Sequence, residues 1–198
     1  MKPDKREKII RAAWEIFTTR RYHESTMDDV AEAAGVGKGT LYRYFSDKEA
    51  LFAATISDAI DNLRDEIERI VSREDDPSAS LRELVKRLVA FLEKKHDFFS
   101  IMHAEESRPG ASDINRQRFR QQWSEKREEL VALVRKLLDR GTEKGVFRTL
   151  PDSRFAASIF IGMIRTTMRA CEELPAAKKA EMAFDLLLHG IAETKGKR

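Results

Sequence analysis

Thr26-Met27-Asp28-Asp29-Val30-Ala31-Glu32-Ala33-Ala34-Gly35-Val36-Gly37-Lys38-Gly39-Thr40-Leu41-Tyr42-Arg43-Tyr44-Phe45 reads as a helix, a glycine turn and a second, shorter helix. Thr26 followed three residues later by Asp29 has the spacing of a capping box, in which each side chain accepts an orphan N–H of the first turn. Gly35 ends that helix, because glycine takes the left-handed conformation at no steric cost. The next helix runs from about Gly37 to Phe45. Val30, Ala34, Val36, Leu41 and Phe45 supply a small shared core, and Ala31 lets the helices cross closely. That is the spacing of a helix-turn-helix.

With its apolar residues spent on packing, the second helix presents Lys38, Thr40, Tyr42, Arg43 and Tyr44. Such a helix fits the major groove of DNA, its N-terminal residues nearest the base edges. Lys38 and Arg43 suit guanine acceptors, while Thr40 and the tyrosine hydroxyls suit phosphates. Gly37 and Gly39 remove bulk and let the backbone approach. Thr26 and Lys48 stand at helix N-termini, where unpaired N–H groups attract phosphate and Lys48 adds charge. A hairpin with a merely solvated polar face does not explain two tyrosines on that face.

The chain has 198 residues, enough for one large domain or for a small one and a larger one. Hydrophobic residues make up 41%, adequate for a core. Lys and Arg number 37 against 34 Asp and Glu, a net +3 too small to identify a nucleic-acid partner by itself. The DNA reading therefore rests on where the cations cluster. The single Cys171 excludes an intramolecular disulfide and reads as a small buried side chain. No run approaches the roughly 18 apolar residues of a membrane span, and Met1-Lys2-Pro3-Asp4 leads directly into a charged helix. A soluble, cytoplasmic protein with no membrane partner is expected.

Working outward, helical periodicity dominates and strand signals are nearly absent, so the expected fold class is all-α. Ile9, Ala13, Ile16 and Phe17 mark a first helix. Ser46 and Glu49 read as a second capping box, opening a long fourth helix with Leu51, Phe52, Ile56, Ile60, Leu63, Ile67 and Ile70 on its stripe. Arg73 to Ser78 reads as a turn, and Leu81 to Leu92 marks a fifth helix. An aromatic element, Phe98 to Met102, precedes a loop at Pro109-Gly110. A long helix is expected from about Asp113 to Arg140, a connection from Gly141 to Pro151, then helices at about Asp152 to Glu172 and Ala180 to Ile191.

The residues Val30-Ala31-Glu32-Ala33-Ala34-Gly35-Val36, Lys38-Gly39-Thr40-Leu41-Tyr42-Arg43-Tyr44-Phe45 and Lys48-Glu49-Ala50-Leu51 strongly resemble the TetR family of transcriptional regulators. The resemblance is close over residues 5 to 55 and one of helix pattern beyond. It implies an N-terminal three-helix DNA-binding domain (1–47) joined by a long helix to a C-terminal helical ligand-binding and dimerisation domain (48–198). It also implies a homodimer on a palindromic double-stranded operator, usually as a repressor released by a small-molecule inducer. Family contacts with DNA carry over to Thr26, Lys38, Gly39, Thr40, Tyr42, Tyr44 and Lys48, with Arg43 a base reader. The C-terminal domains of the family diverge, so no ligand is named.

The residues of the C-terminal half agree with a dimer. The helix through Phe155, Ile159, Phe160, Ile161, Met163 and Ile164 is apolar nearly all round and must be covered all round. One face is assigned to the core and another, with Phe155 and Ile159, to a second subunit. Phe184, Leu187, Leu188 and Ile191 of the last helix would complete that interface. A pocket is sought among Phe98, Phe99, Met102, His103, Trp123, Arg127, Phe160, Met163, Ile164 and Thr167, since helix bundles bind ligands between helices. Arg127 and Arg165 interrupt apolar stretches, where a salt bridge or a snorkelled stem competes with an anionic ligand. His96, His103 and Glu106 fall on one side of a continuous helix, but without a tight pair they do not define a metal site. No metal or cofactor is assigned.

An enzyme is disfavoured, because no nucleophile elbow, phosphate-binding glycine loop, His-Glu-x-x-His or paired-cysteine signature occurs. A helical adaptor would not need Lys38, Thr40, Tyr42 and Tyr44 on one exposed helix. Repression and activation are not distinguished.

Overall fold

Asp47, one residue after the expected cap Ser46, opens the longest helix of the N-terminal region and shows how local chemistry sets the element boundaries. Its carboxylate accepts the Ala50 N–H at 2.7 Å and the hydroxyl of Ser46 at 2.8 Å. The expected Ser46/Glu49 box is thus replaced by an aspartate cap, which also places a negative charge at the positive end of the helix. The computed structural model describes residues 4–20, 22–93, 113–170 and 173–191, side chains excepted at 113–120, 122–123, 169–170 and 191. Among these residues lie eight α-helices, a short 3-10 turn and no strand. The expected aromatic element at Phe98 to Met102, the loop at Pro109-Gly110, His96, Phe99, Met102, His103, Glu106 and Cys171 lie outside the described residues, as do the side chains of Trp123 and Ile191.

The chain forms two compact units, with one division between Asn62 and Leu63 and another between Trp123 and Ser124. In the first are α1 (Lys5–Thr19), the 3-10 turn (Tyr22–Glu24), α2 (Met27–Ala34), α3 (Lys38–Tyr44) and the start of α4 (Lys48–Ser72). Ile9, Ala13 and Phe17 of α1 are buried at the period expected of an amphipathic helix. Phe17, Tyr22 and Phe52 then meet in tilted and edge-on pairs, with ring centroids 4.6 to 5.7 Å apart. Such geometry adds about 0.5–1.5 kcal/mol per pair to simple burial. It ties α1 and the 3-10 turn to the first turns of α4.

The second unit packs the later part of α4 with α5 (Pro77–Glu93), the part of α6 (Asp113–Glu143) that begins at Ser124, α7 (Ser153–Ala170) and α8 (Ala176–Ile191). Its core joins Ile67 and Ile70 of α4 to Leu81, Leu84 and Val85 of α5, Val134 and Leu137 of α6, Phe160 and Ile164 of α7, and Ala183 and Phe184 of α8. Each large side chain taken from water contributes on the order of 1.5–3 kcal/mol. Helix α5 begins earlier than expected. Asp76 accepts the Ala79 N–H at 3.0 Å and Pro77 occupies the first helical position, where its missing N–H costs nothing.

Helix α6 runs through Gly141, where the connection was expected to begin, and ends at Glu143, two residues before Gly145, whose φ of +67° is left-handed. Gly141 has another role. A Cβ there would lie 2.0 Å from the ring of Phe147, which is 1% exposed, so the glycine lets the chain fold back onto the helix. Half-buried Arg140 pins this corner by donating to the carbonyls of Val71 (2.6 Å) and Arg73 and to the Ser80 hydroxyl at 3.2 Å. These are the C-terminal carbonyls of α4 and its exit, where a cation complements the helix dipole.

Candidate nucleic-acid interface

The expected capping box is present. The Asp29 N–H donates to the Thr26 hydroxyl oxygen at 3.1 Å, and the Asp29 carboxylate accepts the Thr26 N–H at 2.8 Å and its O–H at 2.6 Å. The Thr26 hydroxyl, followed by its backbone N–H, holds the Asp29 carboxyl below its ordinary range, and Arg20 at 3.4 Å adds to this. Gly35 closes α2 with φ of +63° and donates to the carbonyls of Ala31 and Glu32. Val30, Ala31 and Leu41 are buried between α2 and α3, and Phe45 caps the second helix with its N–H on the Leu41 carbonyl.

The outer side of α3 is as expected from its polar residues. Tyr42 is 50% exposed, Lys38, Gly39 and Arg43 are exposed, and Thr40 and Tyr44 are half-buried. The Arg43 guanidinium stands over the Tyr44 ring, 5.5 Å from its centroid, which limits the freedom of both before any partner arrives. Nothing lies within 4 Å of a Cβ built at Gly37 or Gly39, so the protein's own packing does not require glycine at either. Lys38 bonds Asp28 at 2.6 Å, and that hydrogen bond, with the charge of Asp28, raises the lysine's pKa.

Lys48 differs from the expectation. It is half-buried, and its ammonium donates to the carbonyls of Tyr22 and Ser25 while standing 4.1 Å from the centroid of the Tyr22 ring. Arg6 of α1 is a residue the motif reading passed over. Its guanidinium lies 5.7 Å from the centroid of the Phe45 ring at the end of α3, and Lys5, Lys8 and Arg11 on the same helix are exposed. The run of cations from Lys2 to Arg11 was the signal available for it.

Of the residues sought for a ligand, Arg127, Phe160, Met163, Ile164 and Thr167 have described side chains. Phe160 and Ile164 are 1% exposed within the core of the second unit, and Met163 and Thr167 are half-buried one turn apart. Arg127 is exposed beside Glu128 at 3.5 Å, and Arg165 is exposed. A surface groove of about 530 Å³ lies elsewhere, over Asp76, Arg82, Glu83, Lys86, Phe184 and Leu188. On α7 and α8, Phe155 (65%), Ile159 (55%) and Leu186 (64%) are exposed. Phe184, assigned to the same interface, is instead 2% exposed beneath Arg82, and Leu187 and Leu188 are half-buried. Leu186 was missed because its neighbours share its composition, and only the helix phase separates them.

A capped helix crossing a short one through a left-handed glycine, with tyrosine and cations on the side that packing leaves free, defines a helix-turn-helix DNA-binding regulator. Residues 9–55 match the bacterial regulatory proteins of the tetR family, and residues 74–169 match the tetracyclin repressor-like C-terminal domain. The chain belongs to the TetR family of transcriptional regulators and is not an enzyme. It is 35% identical over 94 residues to the HTH-type transcriptional activator FasR of Mycolicibacterium smegmatis, covering 48% of this chain and 42% of FasR. It is 24% identical over 160 residues to the fatty acid metabolism regulator protein of Bacillus subtilis, covering 81% and 79%. The chain spans about half the length of several curated relatives it matches. Among solved structures, the fatty acid degradation regulator FadR of Bacillus halodurans superposes with a TM-score of 0.73 at 25% identity, covering 96% of this chain and 97% of that one. A TetR-family regulator of Mesorhizobium loti shares the fold with a TM-score of 0.75 at 24% identity and the same coverage. No helix among the described residues is long and apolar enough to cross a membrane.

Proposed function

We propose that the protein is a repressor that binds a palindromic operator as a homodimer and is released by a fatty acyl ligand. The observation that carries DNA binding is the free side of α3, where Tyr42 is 50% exposed beside Lys38, Gly39, Arg43 and Tyr44. Contacts to bases and phosphates are assigned to these residues and to Thr40, with the α2 N-terminus at Thr26 facing a phosphate. The dimer rests on Phe155, Ile159 and Leu186, three large apolar side chains that one protomer leaves in water. Two copies of α3 about 34–36 Å apart would match successive major grooves of a palindrome. The head is residues 1–47 and the effector domain residues 48–198.

The ligand class is supported by the relatives named for fatty acid metabolism and degradation. Release is a coupling free energy between two sites. Helix α4 is continuous from the head into the second unit, so a ligand that favours one setting of α4 changes how the two copies of α3 seat. Activation is the second reading, favoured by the name of FasR.

The test is enrichment of duplexes from a random pool by the full chain, followed by titration of the bound duplex with palmitoyl-CoA. A palindromic consensus that Tyr42→Ala no longer binds supports the DNA assignment, and recovery of no consensus refutes it. Undiminished binding at saturating palmitoyl-CoA removes the acyl ligand. A reporter carrying the enriched site then separates repression from activation.

A further inference from the structure

Lysine is a poor choice for the first residue of a helix, since its charge opposes the positive end of the macrodipole. Lys48 nevertheless occupies the first position of α4. Its ammonium is turned inward, onto the carbonyls of Tyr22 and Ser25 (2.5 Å to the latter) and over the face of the Tyr22 ring at 4.1 Å. Both acceptor residues are buried, Tyr22 at 4% and Ser25 at 2% exposed. Charge-assisted bonds to carbonyls in such a place are stronger than those made in water, and the ring face adds a cation–π attraction.

The acceptors are as informative as the donor. Ser25 immediately precedes Thr26, the residue that caps α2, and the Ser25 hydroxyl and N–H both donate to the same Tyr22 carbonyl that Lys48 bonds. Tyr22 in turn packs on Phe52, one turn further along α4. Lys48 therefore links the first residue of α4 to the chain that sets the start of α2, and α2 carries α3 through Val30, Ala31 and Leu41.

We propose that Lys48 is a positioning residue that locks α2, and with it α3, to the start of α4, and that it is not a phosphate contact. The inference rests on the reading that α3 binds DNA. It gives α4 a defined handle on the recognition helix: a change in the setting of α4 is passed to α2 through a fixed joint rather than absorbed by a loose loop.

The experiment uses the full chain and Lys48→Met, which keeps the aliphatic stem and removes the ammonium. Affinity is measured for a duplex enriched from a random pool by the wild-type protein and for a scrambled duplex, across a range of salt. Discrimination between the two is expected to fall about tenfold, with the melting temperature of the DNA-free protein lower by roughly 3 °C or more. The slope of log affinity against log salt is expected to stay at the wild-type value. Lys48→Arg, which restores a cation over the ring, is expected to recover discrimination. A slope shallower by about one marks a lost phosphate contact and overturns the proposal. Discrimination within about twofold of wild type overturns it as well. If the wild-type protein enriches no duplex, the DNA-binding reading fails, while amide exchange at Thr26 and Asp29 still tests the joint. Faster exchange at both in Lys48→Met upholds the joint, and unchanged exchange removes it.

Discussion

Asp28 in the first turn of α2 holds the ammonium of Lys38, the first residue of α3, at 2.6 Å, so a cation that the proposed function assigns to DNA is already paired within the protein. Both side chains are more than half exposed, 67% for Lys38 and 56% for Asp28, so the pair does little for stability. Its consequence is for binding. On the proposed function, Lys38 exchanges Asp28 for a phosphate or base, and the aspartate stays behind near the phosphates.

Asp28→Asn is therefore expected to tighten duplex binding by about twofold to fivefold at low salt, with an unchanged melting temperature. The gain should shrink as salt screens the aspartate's charge. Fluorescence anisotropy on one duplex at two salt concentrations measures it, and weaker binding by the variant refutes the account. No pH dependence near neutrality is expected from this pair. The raised pKa of Lys38 keeps its contribution complete below the unfolded value of 10.5, and it is lost only as pH climbs through the folded one.

The capping box at Thr26 and Asp29 makes the opposite pH prediction. The Asp29 carboxyl is held below its ordinary value of 3.8 by the Thr26 hydroxyl and N–H, with Arg20 adding to this. Its contribution is present above that value and is lost as pH falls through the folded pKa. Thr26→Ala is expected to lower the melting temperature by about 2–4 °C at pH 7. The gap between wild type and variant should narrow once Asp29 protonates. Calorimetry at pH 7 and near pH 3 tests this, and a gap that widens in acid contradicts it.

The head was legible in the sequence because its rules are local. Thr26, Asp29 and Gly35 are separated by a few residues, and their roles follow from cap and turn geometry alone. Asp47 shows the limit, since Ser46 and Asp47 are both good caps and the sequence does not rank them. The inward contacts of Lys48 were hidden for a different reason. Its partners, the carbonyls of Tyr22 and Ser25, lie more than twenty residues away and are backbone atoms that no side-chain pattern reveals. The apolar stripe of α8 likewise gave its membership but not its phase, so Phe184 was assigned to the surface though it is buried, and exposed Leu186 was passed over.

Gly141 and Gly145 are expected to fail differently when replaced by alanine. At Gly145 nothing lies within 4 Å of the new Cβ, and the cost is that of a left-handed φ, about 1 kcal/mol. At Gly141 the Cβ meets the buried Phe147 ring at 2.0 Å, an overpacking cost of about 1–3 kcal/mol or more. Phe147→Leu should relieve part of the second penalty and none of the first. Denaturant melts of the three single variants and the two pairs form the cycles, and additivity of Gly141→Ala with Phe147→Leu refutes the steric account.

The proposed dimer face can be separated from the core by the same logic of exposure. Phe155, Ile159 and Leu186 are 65%, 55% and 64% exposed in one protomer, while Phe184 is 2% exposed and packs under the Arg82 guanidinium at 3.9 Å. A glutamate at Ile159 or Leu186 remains solvated in the protomer and is buried only when a second copy docks, where an unpaired charge is costly. Ile159→Glu and Leu186→Glu are therefore expected to give folded monomers in sedimentation, with helical circular dichroism retained and duplex affinity reduced by the loss of the second head. Phe184→Glu is expected to lose the fold of the second unit instead, because its charge enters the core whether or not a partner is present. A dimer that persists in both Ile159→Glu and Leu186→Glu removes this face from the interface, and a folded monomeric Phe184→Glu returns that residue to it.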